Sequence, residues 1–331
     1  MKQVVLRAPL SAAPTARDFE TVDAPEPELQ AGAVLVEPLL LSLDPYIGAR
    51  LRGRHMGETP PAPGVEPIPA SAVVRIVRSH TPLFAPGDIA HTMDASWSER
   101  IALQPSRLRK LDPSSAPLSA HLSVLGMPGL TAWAGLTQLA NVEAGDVVLV
   151  DAASGAVGGA VGQIAKIKGA SVVGIAGGAA KCAIVREEYG FDACVDYKSA
   201  GWERALEAAL PAPPTIIFEN VSIAMLETGL RRAAPYVRAV LCGLADHYQA
   251  DAPPAQIPVG LVMLKRASLH GLVVYDFYDR WASFLAETQS WVRDGRLKVH
   301  EDRVHGLEHA PALMDKLMRG ENLGKCIVDL T

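Results

Sequence analysis

The spacing of apolar residues along this chain changes near residue 120. Before that point, short β-branched runs are separated by Pro-Gly and Glu-Pro turns, as in Gln3–Leu6, Ala33–Glu37, Ala72–Val77 and Asp88–His91. Such runs between turn residues predict a compact β-rich domain. The segment from 299 to 331 predicts a strand, a helix and a strand, and we expect it to complete this first domain.

From residue 121 to 298 short apolar runs alternate with segments of helical spacing. This alternation predicts an α/β fold with a doubly wound parallel sheet of the Rossmann type. We therefore expect a β-rich domain over residues 1–120 and a dinucleotide-binding domain over residues 121–298. The strands predicted for the second domain are Val147–Val150, Ser171–Ile175, Ala193–Asp196, Thr215–Glu219, Ala239–Cys242 and Leu269–Val274.

A glycine-rich turn follows the first of these strands and opens a helix. Gly155 and Gly158 permit main-chain N–H groups to approach a pyrophosphate at the helix N-terminus, where the helix dipole favours an anion. Gly162 permits the helix to pack closely on the strand. The strand–turn–helix context predicts a dinucleotide site, although the Gly-x-x-Gly spacing also fits a tightly packed turn that binds no ligand.

The end of the second strand in such a sheet distinguishes NAD from NADP. NAD-binding chains usually place an acid there, which bonds to the ribose hydroxyls. Here the chain continues through Gly174–Lys181 without an acid. The glycines leave space and Lys181 supplies a cation for a 2′-phosphate, which favours NADP. The alternative is that Lys181 is an ordinary solvated lysine at the start of a helix.

Composition and charge narrow the classes of protein to consider. The chain has 331 residues, 49% of them hydrophobic, and a net charge of −5, so it lacks the basic footprint of a nucleic-acid-binding protein. Its four cysteines are scattered without a Cys-x-x-Cys pair, which disfavours a disulfide framework and a structural zinc site. No apolar run suits a signal peptide or a membrane span, and we expect a cytoplasmic protein.

Several short motifs stand in a fixed order along nearly the whole chain. They are Ser42–Tyr46, Leu125–Ala132, Ala152–Gly158, Val161–Lys166, Val172–Gly178, Gly190–Asp192, Asp196–Lys198, Phe218–Val221, Leu241–Gly243 and Glu321–Lys325. This set resembles the medium-chain dehydrogenase/reductase superfamily, in its zinc-independent branch of prostaglandin reductases, alkenal double-bond reductases and curcumin reductases. The resemblance implies a Rossmann domain that binds NADPH, a GroES-like catalytic domain, a homodimer, and reduction of the C=C bond of α,β-unsaturated ketones or aldehydes.

The resemblance also implies roles for individual residues. The turn formed by Gly155, Ala156, Val157 and Gly158 would carry the pyrophosphate. The 2′-phosphate would be held by Lys181 and Tyr197, and the substrate pocket would be lined by Tyr46 and Tyr275. The residues implied at the adenosine and nicotinamide ends are Asn220, Cys242, Gly243, Leu244, Tyr248, Leu272, Val273, Val274 and Asn322.

Reduction of an activated C=C bond needs a hydrogen-bond donor, because negative charge develops on the carbonyl oxygen once hydride reaches the β-carbon. Tyr248 matches the family tyrosine that points at this oxygen, and Tyr248 or solvent would then protonate the α-carbon. The chain departs from the family nearby, since Ser222 and Ile223 replace two glycines and Leu244–Tyr248 replaces Ile-Ser-x-Tyr. Tyr248 could instead be a packed loop residue, and Tyr46 a structural aromatic.

Three other functions fit parts of the sequence. A zinc alcohol dehydrogenase shares the architecture, but His55, Glu58 and Glu66 are too loosely spaced for zinc ligands, and we expect no metal. Quinone reduction would use the same coenzyme site with a wider cleft. A non-catalytic NADPH-binding protein is the third, because a fold does not determine a function. The apolar run Leu269–Val274 fits an edge strand that pairs between the subunits of a homodimer.

Overall fold

The structure is a computed structural model that describes residues 1–243, 245 and 256–331. The described residues divide into two units. The first unit consists of Met1–Leu122 and Glu301–Thr331, and the second lies between Ser123 and His300. Across these described ranges, none of the helices has the length and apolar character that a bilayer crossing requires.

Both units are built from short elements. The strands are β1 (Lys2–Leu6), β2 (Phe19–Asp23), β3 (Val34–Leu43), β4 (Pro69–Ser79), β5 (Ile89–Ser96), β6 (Ile101–Leu103), β7 (Arg109–Leu111), β8 (Val147–Val150), β9 (Ser171–Ala176), β10 (Ala193–Asp196), β11 (Ile216–Glu219), β12 (Arg238–Leu241), β13 (Ser268–Gly271), β14 (Glu301–His305) and β15 (Lys325–Asp329). The helices are α1 (Pro45–Arg50), α2 (Met127–Ala134), α3 (Ala156–Ile167), α4 (Ala179–Glu187), α5 (Trp202–Ala209), α6 (Ile223–Arg232), α7 (Val259–Lys265), α8 (Trp281–Arg293) and α9 (Ala310–Met318).

The first unit is a mostly antiparallel β structure. Its larger sheet has the order β14-β15-β3-β4-β5-β7, with β6 also paired to β3, while β1 and β2 form a separate hairpin-like pair. Only β14 and β15 run parallel within the larger sheet. The core between these strands is apolar, and its largest fully buried side chain is Trp97, whose ring centroid lies 5.3 Å from that of Phe19.

A buried ion pair joins two distant segments of the first unit. Lys325 is 2% exposed, and its Nζ donates to Asp44 Oδ1 at 2.5 Å and to Leu43 O at 3.0 Å. Ser42 Oγ donates to the other oxygen of Asp44 at 2.5 Å. Because every charged group here has partners, the pair fixes the start of α1, with Tyr46, relative to β15.

The second unit is a six-stranded parallel sheet in the order β10-β9-β8-β11-β12-β13. The central strands β8 and β11 are buried on both faces, since all four residues of each strand are buried. Such continuous burial is typical of a sheet that helices cover on both faces. This is the doubly wound α/β sheet that the sequence predicted, and with the mixed sheet of the first unit it confirms the predicted fold class.

Most strand limits differ from prediction by one to several residues, and two of these differences bear on the local structure. β3 continues to Leu43 through Pro38, where the register with β4 is irregular because proline has no N–H for the ladder. The last strand of the parallel sheet was predicted to reach Val274 but ends at Gly271. Its partner β12 ends at Leu241, which is paired with Gly271.

Candidate active site

The predicted dinucleotide residues of the second unit lie where its parallel strands end. Ligands of such sheets bind at the strand pair where the winding reverses. That pair is β8 and β11, because β9 and β10 lie on one side of β8 and β11 to β13 on the other. The predicted residues that follow the six strands of this sheet are Gly155, Ala156, Val157, Gly158, Lys181, Tyr197, Asn220, Cys242, Gly243, Leu272, Val273 and Val274.

The turn between β8 and α3 brings main-chain atoms very close together. Ala152 has φ of +44°, in the left-handed region, and its carbonyl oxygen accepts the N–H of Gly155 at 2.8 Å. A Cβ on Gly158 would stand 2.4 Å from the same oxygen, so glycine is required there. The first-turn N–H groups of Ala156, Val157 and Gly158 have no acceptor within the helix, as at any helix N-terminus. The turn therefore suits an anion.

Gly162 makes space for the ring of Phe191, a contact that was not predicted. A Cβ at this position would stand 1.8 Å from Cζ of Phe191, whereas the prediction placed the helix directly on the strand. A Cβ on Gly174 of β9 would also stand 3.1 Å from the same ring. The buried ring of Phe191 therefore lies between α3 and β9, and both glycines make space for it.

The predicted 2′-phosphate residues lie around the end of β9. Gly178, with φ of +105°, precedes α4, and its N–H donates to Asp196 Oδ1 at 2.7 Å. Tyr197 is 42% exposed, and its ring lies 2.9 Å from where a Cβ on Gly177 would stand. Lys181 is in the first turn of α4, where a cation opposes the helix dipole unless an anion binds beside it.

Two acids end the neighbouring strands β8 and β11. Asp151 and Glu219 are 4% and 1% exposed. Asp151 Oδ1 accepts the main-chain N–H of Asn220 at 2.7 Å, and Asn220 Nδ2 donates to Asp151 O at 3.1 Å. Burial raises the pKa of both carboxyls, and the charge of Asp151 raises the pKa of Glu219 further. Burial and these acids also raise the pKa of the Cys242 thiol to about 12, so it is no nucleophile at neutral pH.

Ser222, one of the two departures from the family pattern, caps α6. Its Oγ accepts the N–H of Met225 at 3.2 Å, a bond that glycine cannot make. Glu219 Oε1 accepts the N–H groups of Val221 and Ser222, both at 2.6 Å. Ile223 begins the helix and packs against the core between α6 and β12. The substitution therefore keeps an ordered turn by a different set of bonds.

The segment after β13 carries three predicted coenzyme residues and a predicted pocket residue. Leu272 is buried and its N–H donates to Leu241 O at 2.9 Å, whereas Val273 and Val274 are half-buried. Tyr275 follows in a 3-10 helix, with its ring centroid 5.5 Å from that of Tyr278. The pocket role of Tyr275 stays a prediction.

Two predicted residues belong to the first unit. Tyr46 is half-buried in α1, and its ring centroid lies 5.0 Å from that of His55. Asn322 is 9% exposed, and its Nδ2 donates to Gly324 O at 2.7 Å. That amide donor is used within its own loop, so a coenzyme contact of Asn322 would use its other polar atoms.

Leu244 and Tyr248 lie outside the described residues, so the tyrosine mechanism stays a prediction. Among the residues that are described, no group of three or more His, Cys, Asp or Glu side chains is arranged to hold a metal ion. The acids considered as zinc ligands have other partners, since Glu58 pairs with Arg50 at 2.7 Å and Glu66 accepts the N–H of Ala62 at 2.8 Å. This donor set does not fit a catalytic zinc.

Known proteins resemble this chain over nearly its full length. Residues 156–290 match the family model of zinc-binding dehydrogenases, and residues 2–111 match that of the N-terminal domain of oxidoreductases. The NADP⁺-dependent 2-alkenal reductase of Nicotiana tabacum is 35% identical over 99% of this chain and 96% of its own. Prostaglandin reductase 1 of Bos taurus is 35% identical over 95% of this chain and 94% of its own.

A solved structure shows the same fold. The crystal structure of CurA from Vibrio vulnificus in complex with NADPH has a TM-score of 0.91 and 31% identity, covering 100% of this chain and 99% of that one. The chain therefore belongs to the medium-chain dehydrogenase/reductase superfamily, in the branch of prostaglandin, alkenal and curcumin reductases.

The acid pair Asp151 and Glu219 was not predicted from the sequence. The signal was present, because each acid directly follows an apolar run that was predicted to be a buried strand. Since the carboxyl ends of parallel strands share one edge, acids that follow two strands meet if those strands are neighbours. That β8 and β11 are neighbours is a property of the sheet order, which the sequence did not provide.

The glycine turn gives a testable prediction about stability. Gly158→Ala is expected to destabilise the protein by about 1–3 kcal/mol, because the new methyl group meets the main-chain oxygen of Ala152 rather than a movable side chain. The matched control is Gly260→Ala in α7, where nothing lies within 4 Å of the added Cβ. Thermal unfolding of both variants checks the prediction, and equal melting temperatures would contradict it.

Proposed function

We propose that this chain is an NADPH-dependent reductase of the C=C bond in α,β-unsaturated ketones and aldehydes. Its wider class is NADP-dependent oxidoreductase, the class of relatives that match 95% and 99% of its length. Hydride adds to the β-carbon, the electron pair of the C=C bond forms a double bond between the α-carbon and the carbonyl carbon, and the carbonyl electron pair moves onto oxygen. Protonation of the α-carbon then restores the C=O bond. The product is the saturated carbonyl compound.

The proposal is supported by a glycine turn whose geometry suits a phosphate, in a chain that matches an alkenal reductase over 99% and a prostaglandin reductase over 95% of its length. The space at Gly158, which a Cβ would fill, supports a close approach of main-chain N–H groups to a phosphate. Lys181, Tyr197 and the glycines at the end of β9 support a 2′-phosphate site. When bound, NADPH supplies the hydride.

The substrate half of the proposal rests on three tyrosines. The hydroxyl of Tyr248 donates to the carbonyl oxygen and stabilises the negative charge that develops there, which is a large contribution to rate in such reactions. Tyr248 or solvent delivers the proton to the α-carbon. Tyr46 and Tyr275 supply apolar surface for the substrate, since aromatic rings with a polar end suit such pockets. No step requires a metal ligand.

The coenzyme preference is tested by removing the proposed phosphate-binding cation. Lys181→Met is expected to raise the Kd for NADPH about tenfold to a hundredfold, because a hydrogen bond to a charged group contributes about 1.5–3 kcal/mol. The Kd for NADH should stay nearly constant, since NADH lacks the 2′-phosphate. Fluorescence titration of both reduced coenzymes measures this.

The matched control for that experiment is Lys166→Met. Lys166 lies in the last turn of α3, away from the glycine turn, and pairs with Asp192. The Kd of this variant for NADPH should equal that of the unmodified chain. An unchanged NADPH affinity in Lys181→Met would show that Lys181 does not bind the phosphate.

The tyrosine mechanism is tested with a medium-chain enone. Tyr248→Phe is expected to lower kcat by about 10²–10³-fold, the usual effect of removing one donor to a developing oxyanion. The Kd for NADPH should change little. Loss of NADPH absorbance gives the rate, and identification of the saturated ketone confirms that the C=C bond is reduced.

The control is Tyr236→Phe, because Tyr236 is 71% exposed and loses the same hydroxyl. Full enone turnover by Tyr248→Phe would contradict the donor role. Turnover of a quinone but not of an enone by the unmodified chain would contradict the substrate class.

A homodimer is also proposed, through β13 and α7. β13 is an edge of the parallel sheet and leaves one row of main-chain groups for a partner strand. α7 has no buried residue, and Val259, Met263 and Leu264 are 71%, 76% and 62% exposed. An apolar helix surface beside an open strand edge fits a second copy of the same surface across a two-fold axis.

Val259→Asp is therefore expected to convert a dimer into a monomer, because a charge buried in an apolar interface is strongly unfavourable. Val65→Asp is the control, since Val65 is 68% exposed in the first unit and should leave the dimer intact. Multi-angle light scattering gives the mass, and a monomeric unmodified chain would refute the assembly. The cytoplasmic location expected from the sequence stays a prediction.

A further inference from the structure

The acids that end β8 and β11 form a buried pair with an unusual hydrogen-bond pattern. Val150 and Phe218 are paired in the parallel register, so the next residues, Asp151 and Glu219, stand side by side. Asp151 Oδ1 already accepts from Asn220, and Glu219 Oε1 already accepts from Val221 and Ser222. Each acid therefore uses one oxygen to hold the turn after β11.

The second oxygen of Asp151 is not used in holding the turn. Oδ2 is buried, and among the described residues no group reaches it with the geometry of a hydrogen bond. The two carboxyls are near enough for each to shift the pKa of the other. A hydrogen bond between two carboxyls requires a proton, because an ionised carboxylate can only accept.

The described residues around the two acids do not neutralise two negative charges. In the part of the chain that the structure describes, neither acid has an ion-pair partner, and the thiol of Cys242, directly after β12, is a further titratable group beside them. Two adjacent carboxylates in such a site repel each other, and one of them binds a proton instead. The neighbouring glycine turn is proposed to bind an anion, which adds to this requirement.

We propose that Asp151 and Glu219 share one proton, and that this acid pair positions Asn220 and the turn after β11 at the proposed coenzyme site. The inference deepens the proposed function and rests on it for the role of Asn220. Glu219 carries the proton and donates to Asp151 Oδ2, while Asp151 keeps the negative charge and accepts from Asn220. Asp151 and Glu219 are positioning residues, because they act through Asn220.

The sharing of a proton has a signature in stability. Burial and the charge of Asp151 raise the pKa of Glu219 far above its ordinary value of 4.5 in the folded chain. Unfolded chains release this proton near the ordinary value, so between the two values the folded state binds one more proton than the unfolded state. Stability is therefore lost as the pH rises through that window.

Glu219→Gln isolates this effect without coenzyme. The amide keeps an oxygen for the N–H groups of Val221 and Ser222 and offers an N–H to Asp151, but it has no proton to release. We expect the melting temperature of the variant, relative to the unmodified chain, to rise steadily between about pH 5 and pH 9. A difference that stays constant over this range would overturn the shared proton.

Glu287→Gln is the matched control. Glu287 is half-buried and accepts from Lys168 and Trp133, and these bonds hold its pKa below the ordinary value. The ionised Glu287 carboxylate stabilises the fold fully at any pH above the pKa that Glu287 has in the unfolded chain. The decrease in melting temperature caused by Glu287→Gln should therefore not change between about pH 6 and pH 9. A slope in Glu219→Gln that Glu287→Gln also shows would count against the proposal.

The positioning role is tested by coenzyme binding. Asp151→Leu removes the acceptor of Asn220 and is expected to raise the Kd for NADPH about tenfold or more. Asp151→Asn restores an acceptor for Asn220 and a donor for Glu219, and should recover most of the lost affinity. An equal loss of NADPH affinity in both variants, when circular dichroism shows that both are folded, would overturn the positioning role.

The two arms separate this inference from the proposed function. The stability arm uses the chain without coenzyme, so it tests the shared proton even if NADPH does not bind. Should the unmodified chain fail to bind NADPH, the proposed function and the positioning role both fail, while the pH dependence of Glu219→Gln still decides on the shared proton.

Discussion

The main-chain oxygen of Ala152 lies so close to α3 that only a glycine fits opposite it, and the dinucleotide half of the fold depends on this approach. The contact starts α3 directly beyond the end of β8 and brings its first-turn N–H groups to the edge of the sheet. The left-handed conformation of Ala152 makes the sharp turn possible. The position of β8 between β9 and β11 then puts this proposed anion site where the winding of the sheet reverses.

The same edge has to accommodate buried carboxyl groups. Asp151 and Glu219 secure the main chain after β11 by accepting three of its N–H groups, but two carboxylates would oppose an anion a few residues away. A single proton held between them reconciles these demands, since it halves the charge and supplies the missing donor. The geometry of the turn after β11 therefore depends on the protonation of the acid pair.

The departures from the family pattern are accommodated locally. Ser222 caps α6 and Ile223 packs on the core beneath it, so the turn after β11 is ordered without the two glycines. In the first unit, the ion pair of Lys325 with Asp44 ties the start of α1 to β15 across 281 residues of sequence. Each of these arrangements satisfies buried polar groups, which is the condition for keeping them in a core.

The sequence by itself determined the elements and the coenzyme motif, because hydrophobic periodicity, turn residues and glycine positions are local properties. The strands at Val147–Val150 and Ala193–Asp196 have the predicted limits, and the turn at Gly155 and Gly158 has the predicted form. Only the tertiary structure decided that Gly162 faces the ring of Phe191, because that ring comes from a segment beyond the next strand. Likewise, only the sheet order brought Asp151 next to Glu219, since strand neighbours are chosen by packing of the whole sheet and are not encoded within either strand.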